Sequence, residues 1–97
     1  MLKVLVVCEN KMETGRLLKM TAEPVFRKMC LEYQISLCRI QEARKAAAGH
    51  DIIFCPEPVA EKLAAAVSPK TWVVGMQNGL NATEVKTGVR AYLLNKS

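Results

Sequence analysis

The sequence predicts an α/β protein, and three observations carry that prediction. Short apolar runs recur four times along the chain. Two of them, near residues 3–7 and 51–55, are continuous and rich in β-branched and aliphatic residues, which is typical of strands covered on both faces. Segments with the three- and four-residue apolar spacing of helices follow each run. Alternation of this kind predicts parallel strands joined by helices.

The first predicted elements are a central strand and a long helix. Lys3–Val7 is a continuous apolar run after its lysine, so we expect a central strand. Apolar spacing then predicts a helix from about Thr14 to Glu32, with Cys30 on its buried stripe. Pro24 lies inside this helix, and we expect a bend there because proline lacks an amide hydrogen and clashes with the preceding turn.

The next two elements are predicted to be an edge strand and a short helix. Tyr33–Ile40 alternates, with Ile35 on one side and Cys38 on the other, as a strand half exposed to water does. Gln41–Ala48 is rich in helix formers. Gly49 follows it and can adopt the left-handed conformation that ends helices.

The second half repeats the pattern twice. Asp51–Cys55 is a continuous apolar strand that two prolines stop, and a helix is expected from about Val59 to Val67. Thr71–Met76 is the fourth predicted strand. The turn signal Asn78-Gly79 and the helix cap Asn81 come next. The apolar stripe of the last helix consists of Val85, Val89, Tyr92 and Leu93.

Strands and helices in this order predict a three-layer α/β/α fold with a four-stranded parallel sheet. We expect the strand order 2-1-3-4, as in Rossmann-like and flavodoxin-like folds. Ligands of such sheets bind at the carboxyl ends of the strands, where the strand order reverses. That point lies between the first and third strands, which end near Cys8 and Cys55.

The length of the chain and its apolar pattern limit the number of domains and the kind of protein that it can be. A chain of 97 residues can build one hydrophobic core, so we expect a single domain over residues 1–97. No apolar run approaches the roughly 18 residues that cross a bilayer, so the chain is not expected to span a membrane. Only four apolar residues separate Lys3 from Cys8, which is too short for the apolar region of a signal peptide, and a cytoplasmic location is expected.

A formal net charge of +5 is compatible with nucleic-acid binding, so the distribution of the basic residues matters. The basic residues are scattered over different elements, and the chain has only two Tyr, two Phe and one Trp to stack on bases. We therefore expect no nucleic-acid binding. A modest positive field suits an acidic or phosphate-bearing protein partner instead.

Four cysteines, Cys8, Cys30, Cys38 and Cys55, could form disulfides, bind metal or carry out chemistry. They show no CxxC spacing, and no secretion signal accompanies them, so we expect reduced thiols. The single histidine, His50, has no ligand-like spacing with any of them, so no metal site is predicted. His50 lies at the amino end of the third strand and is expected to be a surface residue.

Cys8 is the predicted functional thiol, because it ends a buried strand just before a helix N-terminus. Backbone amides and the helix dipole there favour a thiolate or a phosphate group. The Lys11 amine and the Thr14 hydroxyl add donors. The predicted phosphate-binding loop consists of Glu9, Asn10, Lys11, Met12, Glu13, Thr14 and Gly15, and the accessory residues are Arg16 and Cys55.

The chain resembles the enzyme IIB components of the bacterial sugar phosphotransferase system (PTS), particularly the ascorbate and galactitol types. The resemblance covers nearly the whole chain and lies in KVLVVC, the cysteine at position 38, GHDIIFC and WVVGMQNGLNATEV. It implies a phosphotransferase in which Cys8 accepts a phosphoryl group from a phosphohistidine on the IIA component. The phosphocysteine then passes the group to a sugar held by the IIC membrane component, without a metal or organic cofactor.

The loop after Cys8 departs from the pattern of that family. Family loops are typically rich in glycine and small hydroxyl residues, whereas this loop carries Glu9 and Glu13, whose carboxylates repel a phosphate dianion. One alternative is therefore a non-catalytic IIB-like interaction or regulatory module. Another is a small tyrosine-phosphatase-like enzyme, but that chemistry requires an arginine six residues beyond the cysteine, where this chain has Thr14.

Overall fold

A computed structural model describes residues 1–8, 12–67, 70–76 and 82–96, with side chains for all of these except 12–15, 17, 18 and 96. The elements alternate strictly between strand and helix. They are β1 (Leu2–Cys8), α1 (Met12–Lys28), β2 (Tyr33–Arg39), a 3₁₀ turn (Ile40–Glu42), α2 (Ala43–Ala46), β3 (Ile52–Pro56), α3 (Glu57–Ala66), β4 (Trp72–Met76) and α4 (Ala82–Lys96). Within the described ranges no helix is both long and apolar enough to cross a bilayer.

The four strands form one parallel sheet in the order β2-β1-β3-β4, which confirms the predicted fold class and strand order. Strand β1 is central, because Val4 pairs with Ile35 of β2 and with Ile52 of β3. Strands β2 and β4 form the two edges. The chain passes from β1 to β2 on one side and then crosses back to β3 on the other side of β1, so the strand order reverses at β1.

Helices cover both faces of the sheet, and successive residues of each strand point to opposite faces. On the first face, alternate strand residues such as Val4 and Phe54 pack with α1 and α4. On the second, Leu5 and Ile53 pack with α2 and α3. Both faces of the central strands are buried, which explains why β1 and β3 have continuous apolar sequences.

The end of α1 differs from the prediction and exposes Cys30. The helix stops at Lys28, not near Glu32. Cys30 has a φ of 56°, its amide donates to the Arg27 carbonyl at 3.0 Å, and the Leu31 amide donates to the Phe26 carbonyl at 3.1 Å. This is a Schellman ending, in which a left-handed residue closes the helix. The expectation that Cys30 is a core residue was therefore wrong, since the chain leaves the helical stripe before reaching it.

Prolines are accommodated differently in α1 and α3. Helix α1 continues through Pro24, which is exposed. Helix α3 begins at Glu57, two residues before the predicted start, with Pro58 in its first turn. A proline is tolerated in that turn because the amide that it lacks would have no partner within the helix. Strand β3 was predicted over Asp51–Cys55 and is shifted by one residue, since it begins at Ile52 and includes Pro56 as its last residue.

Other boundaries follow the prediction with small shifts. The predicted helix over 41–48 is a 3₁₀ turn followed by one α-helical turn, and Gly49 has the expected positive φ of 80°. Val85, Val89 and Tyr92 form the buried stripe of α4, as predicted. The turn Asn78-Gly79 and the cap Asn81 lie outside the described residues.

Candidate active site at the carboxyl edge of the sheet

Cys8 is the last residue of the central strand β1 and lies at the carboxyl edge of the sheet. Its side chain belongs to the cluster under α1 and α4 that also contains Val6 and Met76, and Cys8 is only 3% exposed. Helix α1 begins four residues later, at Met12. The first four amides of a helix have no partner within it, so α1 presents donors and the positive end of its dipole after β1.

Of the seven residues predicted to bind phosphate, three precede α1 and four belong to its first turn. Glu9, Asn10 and Lys11 lie outside the described residues. The backbone from Met12 to Gly15 forms the first turn of α1, which begins two residues before the predicted start, and the side chains of these four residues are also outside the description. The connection from β1 to α1 is thus residues 9–11, whereas the predicted helix start at Thr14 made it residues 9–13.

Arg16, predicted as an accessory residue, follows that first turn and is exposed on α1. An exposed arginine on the first two turns of this helix contributes positive charge near the edge that carries Cys8. No ion pair of Arg16 occurs within the described part of the chain.

Cys55, the other predicted accessory residue, lies on the opposite face of the sheet from Cys8. It packs in the cluster under α2 and α3, is 1% exposed, and its Sγ lies 3.7 Å from the carbonyl oxygen of Val74 on β4. Burial raises the pKa of the Cys55 thiol to about 11. A thiol of that pKa is protonated at neutral pH and is a weak nucleophile.

Cys38 shares the face of Cys55, and it is buried, whereas the sequence predicted a half-exposed side of an edge strand. The 3₁₀ turn and α2 follow β2 directly and place Ala43 and Ala47 in the same cluster, which covers the thiol. Burial first, and then the neighbouring Cys8 and Glu42, raise the pKa of Cys38 to about 11. Cys38 pairs with Val7, so the Cys8 and Cys38 side chains leave neighbouring strands on opposite faces.

Cys30 lies at the other end of the sheet from Cys8. The turn that contains it leads to Glu32, whose carbonyl accepts the amide of Leu2 at the start of β1 at 2.8 Å. A strand of seven residues such as β1 spans about 20 Å. Cys30 also follows the C-terminus of α1, where the helix ends in carbonyl groups and offers no free amides.

A groove between α2 and α3 lies at the carboxyl edge, and sequence reasoning missed it. Its volume is about 350 Å³, and its lining includes the apolar side chains of Ile40, Val59 and Leu63. The cationic residues Arg44 and Lys62 also line it. Both helices follow directly on strands that end at this edge, β2 and β3. The prediction of one regular helix over 41–48 concealed the groove, because the 3₁₀ turn brings Ile40 to its border.

The chain has no significant match to any protein-family model, and none to a curated protein sequence. Assignment of a function therefore rests on the fold and on the positions of the four thiols.

Proposed function

We propose that this chain is a phosphocysteine carrier of the PTS, a cytoplasmic IIB component of the ascorbate or galactitol type, with Cys8 as the phosphoryl acceptor. The observation that carries the proposal is the position of Cys8 at the end of the central strand, four residues before a 17-residue helix. In parallel α/β sheets this is where ligands with phosphate groups bind.

The other three thiols fit the acceptor role less well. Cys38 and Cys55 are buried under α2 and α3, and their raised pKa values keep them protonated near neutral pH. Cys30 is exposed but follows a helix C-terminus, where no amides are available to hold a phosphoryl group. Cys8 is buried too, so its position before the N-terminus of α1, and not its exposure, is what favours it over the other three thiols.

The proposed reaction consists of two in-line transfers. The Cys8 thiolate attacks the phosphorus of a phosphohistidine on the IIA component, so that an S–P bond forms and the P–N bond breaks. The imidazole leaves as the neutral ring, with the proton that its other nitrogen carries. A hydroxyl of the sugar bound by the IIC component then attacks the same phosphorus. The S–P bond breaks, the thiolate is regenerated, and the hydroxyl proton passes to a base on the IIC side. The chain supplies position and hydrogen-bond donors, and no metal is required.

Features of the carboxyl edge suit a phosphorylated protein partner. The first amides of α1 would hold the phosphoryl oxygens, and Arg16 would add positive charge. The groove lined by Arg44 and Lys62 lies at the same edge and offers apolar and cationic side chains to an acidic IIA surface. A net charge of +5 would favour the encounter.

Phosphorylation of thiol variants tests the proposal. The chain is incubated with the general phosphotransferase enzymes and IIA components, and S-phosphorylation is measured by ³¹P NMR and by the mass of the intact chain. The wild type is expected to gain one iodine-labile phosphoryl group, and Cys8→Ser none. Cys30→Ser is the matched control, since it removes an exposed thiol at the opposite edge and should leave labelling unchanged. Undiminished labelling of Cys8→Ser would refute the proposal.

The carboxylates of Glu9 and Glu13 favour one alternative, a non-catalytic module that keeps the IIB fold and its partner. The same experiment separates the two functions. An unlabelled wild type that binds the IIA component as tightly as Cys8→Ser does would establish the non-catalytic module.

A further inference from the structure

A second cavity lies at the amino edge of the sheet, away from Cys8. It has a volume of about 190 Å³ and lies between the starts of β1 and β2 and the turn that follows α2. Four polar side chains and two small residues line it: Lys3, Gln34, Ser36, Ala48, Gly49 and His50. Lys3 pairs with Gln34 across the sheet, so their side chains project from the same face, and Ser36 follows on that face of β2.

The polar side chains around this cavity lack partners inside the protein. Within residues 1–8, 12–67, 70–76 and 82–96, the side chains of Lys3, Gln34, Ser36 and His50 make no hydrogen bond or ion pair. The Nδ1 atom of His50 is also shielded from solvent. A buried polar atom without a partner typically costs about 1–3 kcal/mol, so the His50 ring carries an unsatisfied nitrogen beside the cavity. The other ring nitrogen, Nε2, is not shielded in this way and is the one that a ligand can reach.

The cavity is held in shape by backbone hydrogen bonds on both sides of His50. The His50 amide donates to the Ala47 carbonyl at 3.1 Å, and the His50 carbonyl accepts the Thr71 hydroxyl at 3.3 Å. The next amide, of Asp51, donates to the Lys3 carbonyl at 2.8 Å. A site that is already formed before a ligand arrives loses little entropy when the ligand binds.

The charges around the cavity select the class of ligand. Its lining contains one cation, Lys3, and no carboxylate. The nearby carboxylate of Asp51 is not part of the lining, and its Oδ2 accepts the backbone amide of Lys3 at 2.9 Å. A lysine amine disfavours a metal cation, whereas the amine, amide, hydroxyl and imidazole groups of the lining can all donate hydrogen bonds.

We propose that this cavity binds a small oxyanion, a phosphate or a carboxylate group, with the His50 imidazole and the Lys3 amine as its principal donors. Charge-assisted hydrogen bonds from these two groups supply most of the affinity, and Gln34 and Ser36 orient the oxygens. The cavity lies at the edge of the sheet opposite to Cys8, so the site does not depend on the function proposed for that thiol.

NMR titration with inorganic phosphate tests the site, and the chain is well suited to it because His50 is its only histidine. With ¹⁵N-labelled histidine, phosphate is expected to shift the ring nitrogen resonances of His50, together with the amides of Lys3, Gln34 and Ser36. His50→Ala and Lys3→Ala should each weaken binding about tenfold or more, the loss expected for one hydrogen bond to a charged group. Gln34→Ala, at an exposed residue, gives a smaller loss with little risk to the fold.

Lys62→Ala is the matched control, since it removes the same charge from the groove between α2 and α3. Its phosphate affinity should equal that of the wild type. Acetate distinguishes a planar carboxylate site from a tetrahedral phosphate site, and binding of either at His50 supports the proposal. Phosphate shifts spread over many surface lysines, or an equal loss in Lys62→Ala, would overturn it, as would tighter binding of Zn²⁺ than of either anion.

Discussion

The two faces of the sheet are built from the same strands but differ in the size of their side chains. The face under α1 and α4 contains Phe26, Phe54 and Tyr92. The face under α2 and α3 contains no buried aromatic residue within the described part of the chain, and alanines such as Ala43 and cysteines fill much of it. We call the first the thick face and the second the thin face, after the size of their buried side chains.

Close approach of a helix to the sheet occurs on both faces but uses different partners. Under α4 the helix supplies the small residue, because a Cβ added to Gly88 would lie 3.0 Å from the methyl groups of Val74. Under α3 the strand supplies it, since a Cβ at Gly75 would lie 3.1 Å from the Cβ of Ala60. On the first face the close contact thus depends on a helix residue without a side chain, and on the second it depends on a strand residue without one.

The same comparison separates the thiols. Strand alternation sends Cys8 to the thick face and Cys38 and Cys55 to the thin one, although all three lie near the carboxyl edge. On the thin face the two thiols serve as small apolar side chains beneath short helices. On the thick face the single thiol ends the strand before the longest helix, where amides converge.

The largest expected effect is on stability and distinguishes the two faces directly. Phe54→Ala should cost about 3–5 kcal/mol, because the ring is fully buried against α4 and leaves a large cavity. Leu63→Ala, its matched control on the thin face, should cost less, about 2–3 kcal/mol, because a smaller side chain leaves a smaller cavity beneath α3. Urea unfolding followed by circular dichroism measures both. A larger loss for Leu63→Ala would contradict the comparison.

Much of this fold could be predicted, because local patterns determine it. Continuous apolar runs predict β1 and β3, and right-handed crossovers between alternating elements then restrict the strand order. The end of α1 could not be predicted in this way. The apolar spacing continues through Met29 and Cys30, while the actual stop depends on a left-handed residue that is usually glycine, and here it is a cysteine.

The candidate site could be predicted only in part. The position of Cys8 at a strand end follows from the apolar run before it. Burial of Cys38 does not, because its strand alternates and only the turn and α2 that follow β2 cover its second side. The cavity at the amino edge was equally hidden, since Lys3, Gln34 and His50 are far apart in sequence and meet only through strand pairing.

The second prediction concerns the reactivity of the thiols with iodoacetamide. Only the thiolate reacts, and raising a thiol pKa from 9.0 to about 11 lowers the thiolate fraction near pH 8 by about 100-fold. Cys38 and Cys55 should therefore react at least that much more slowly than an unperturbed thiol, and their rates should continue to rise with pH up to about 11. Peptide mass spectrometry after timed pulses measures each cysteine separately.

The exposed Cys30 and the urea-unfolded chain are the controls for this measurement. All four cysteines should react alike in urea, where neither face exists. Equal alkylation rates for Cys8 and Cys55 in the folded chain would show that thiols on the two faces do not differ in reactivity. Faster reaction of Cys8 near neutral pH is the result that the proposed phosphoryl acceptor requires.

The smallest expected effect belongs to Cys30, which lies outside both faces. Its φ of 56° is a left-handed conformation that costs a residue with a Cβ about 1–2 kcal/mol, whereas glycine adopts it without that cost. Part of the gain is lost because glycine has more freedom in the unfolded chain, so Cys30→Gly should raise the free energy of unfolding by about 1 kcal/mol. Cys30→Ala keeps the Cβ and should change stability little. The turn is remote from the thin face, so Cys30→Gly should leave the alkylation rates of Cys38 and Cys55 unchanged. A change in those rates would show that the end of α1 supports the packing under α2 and α3.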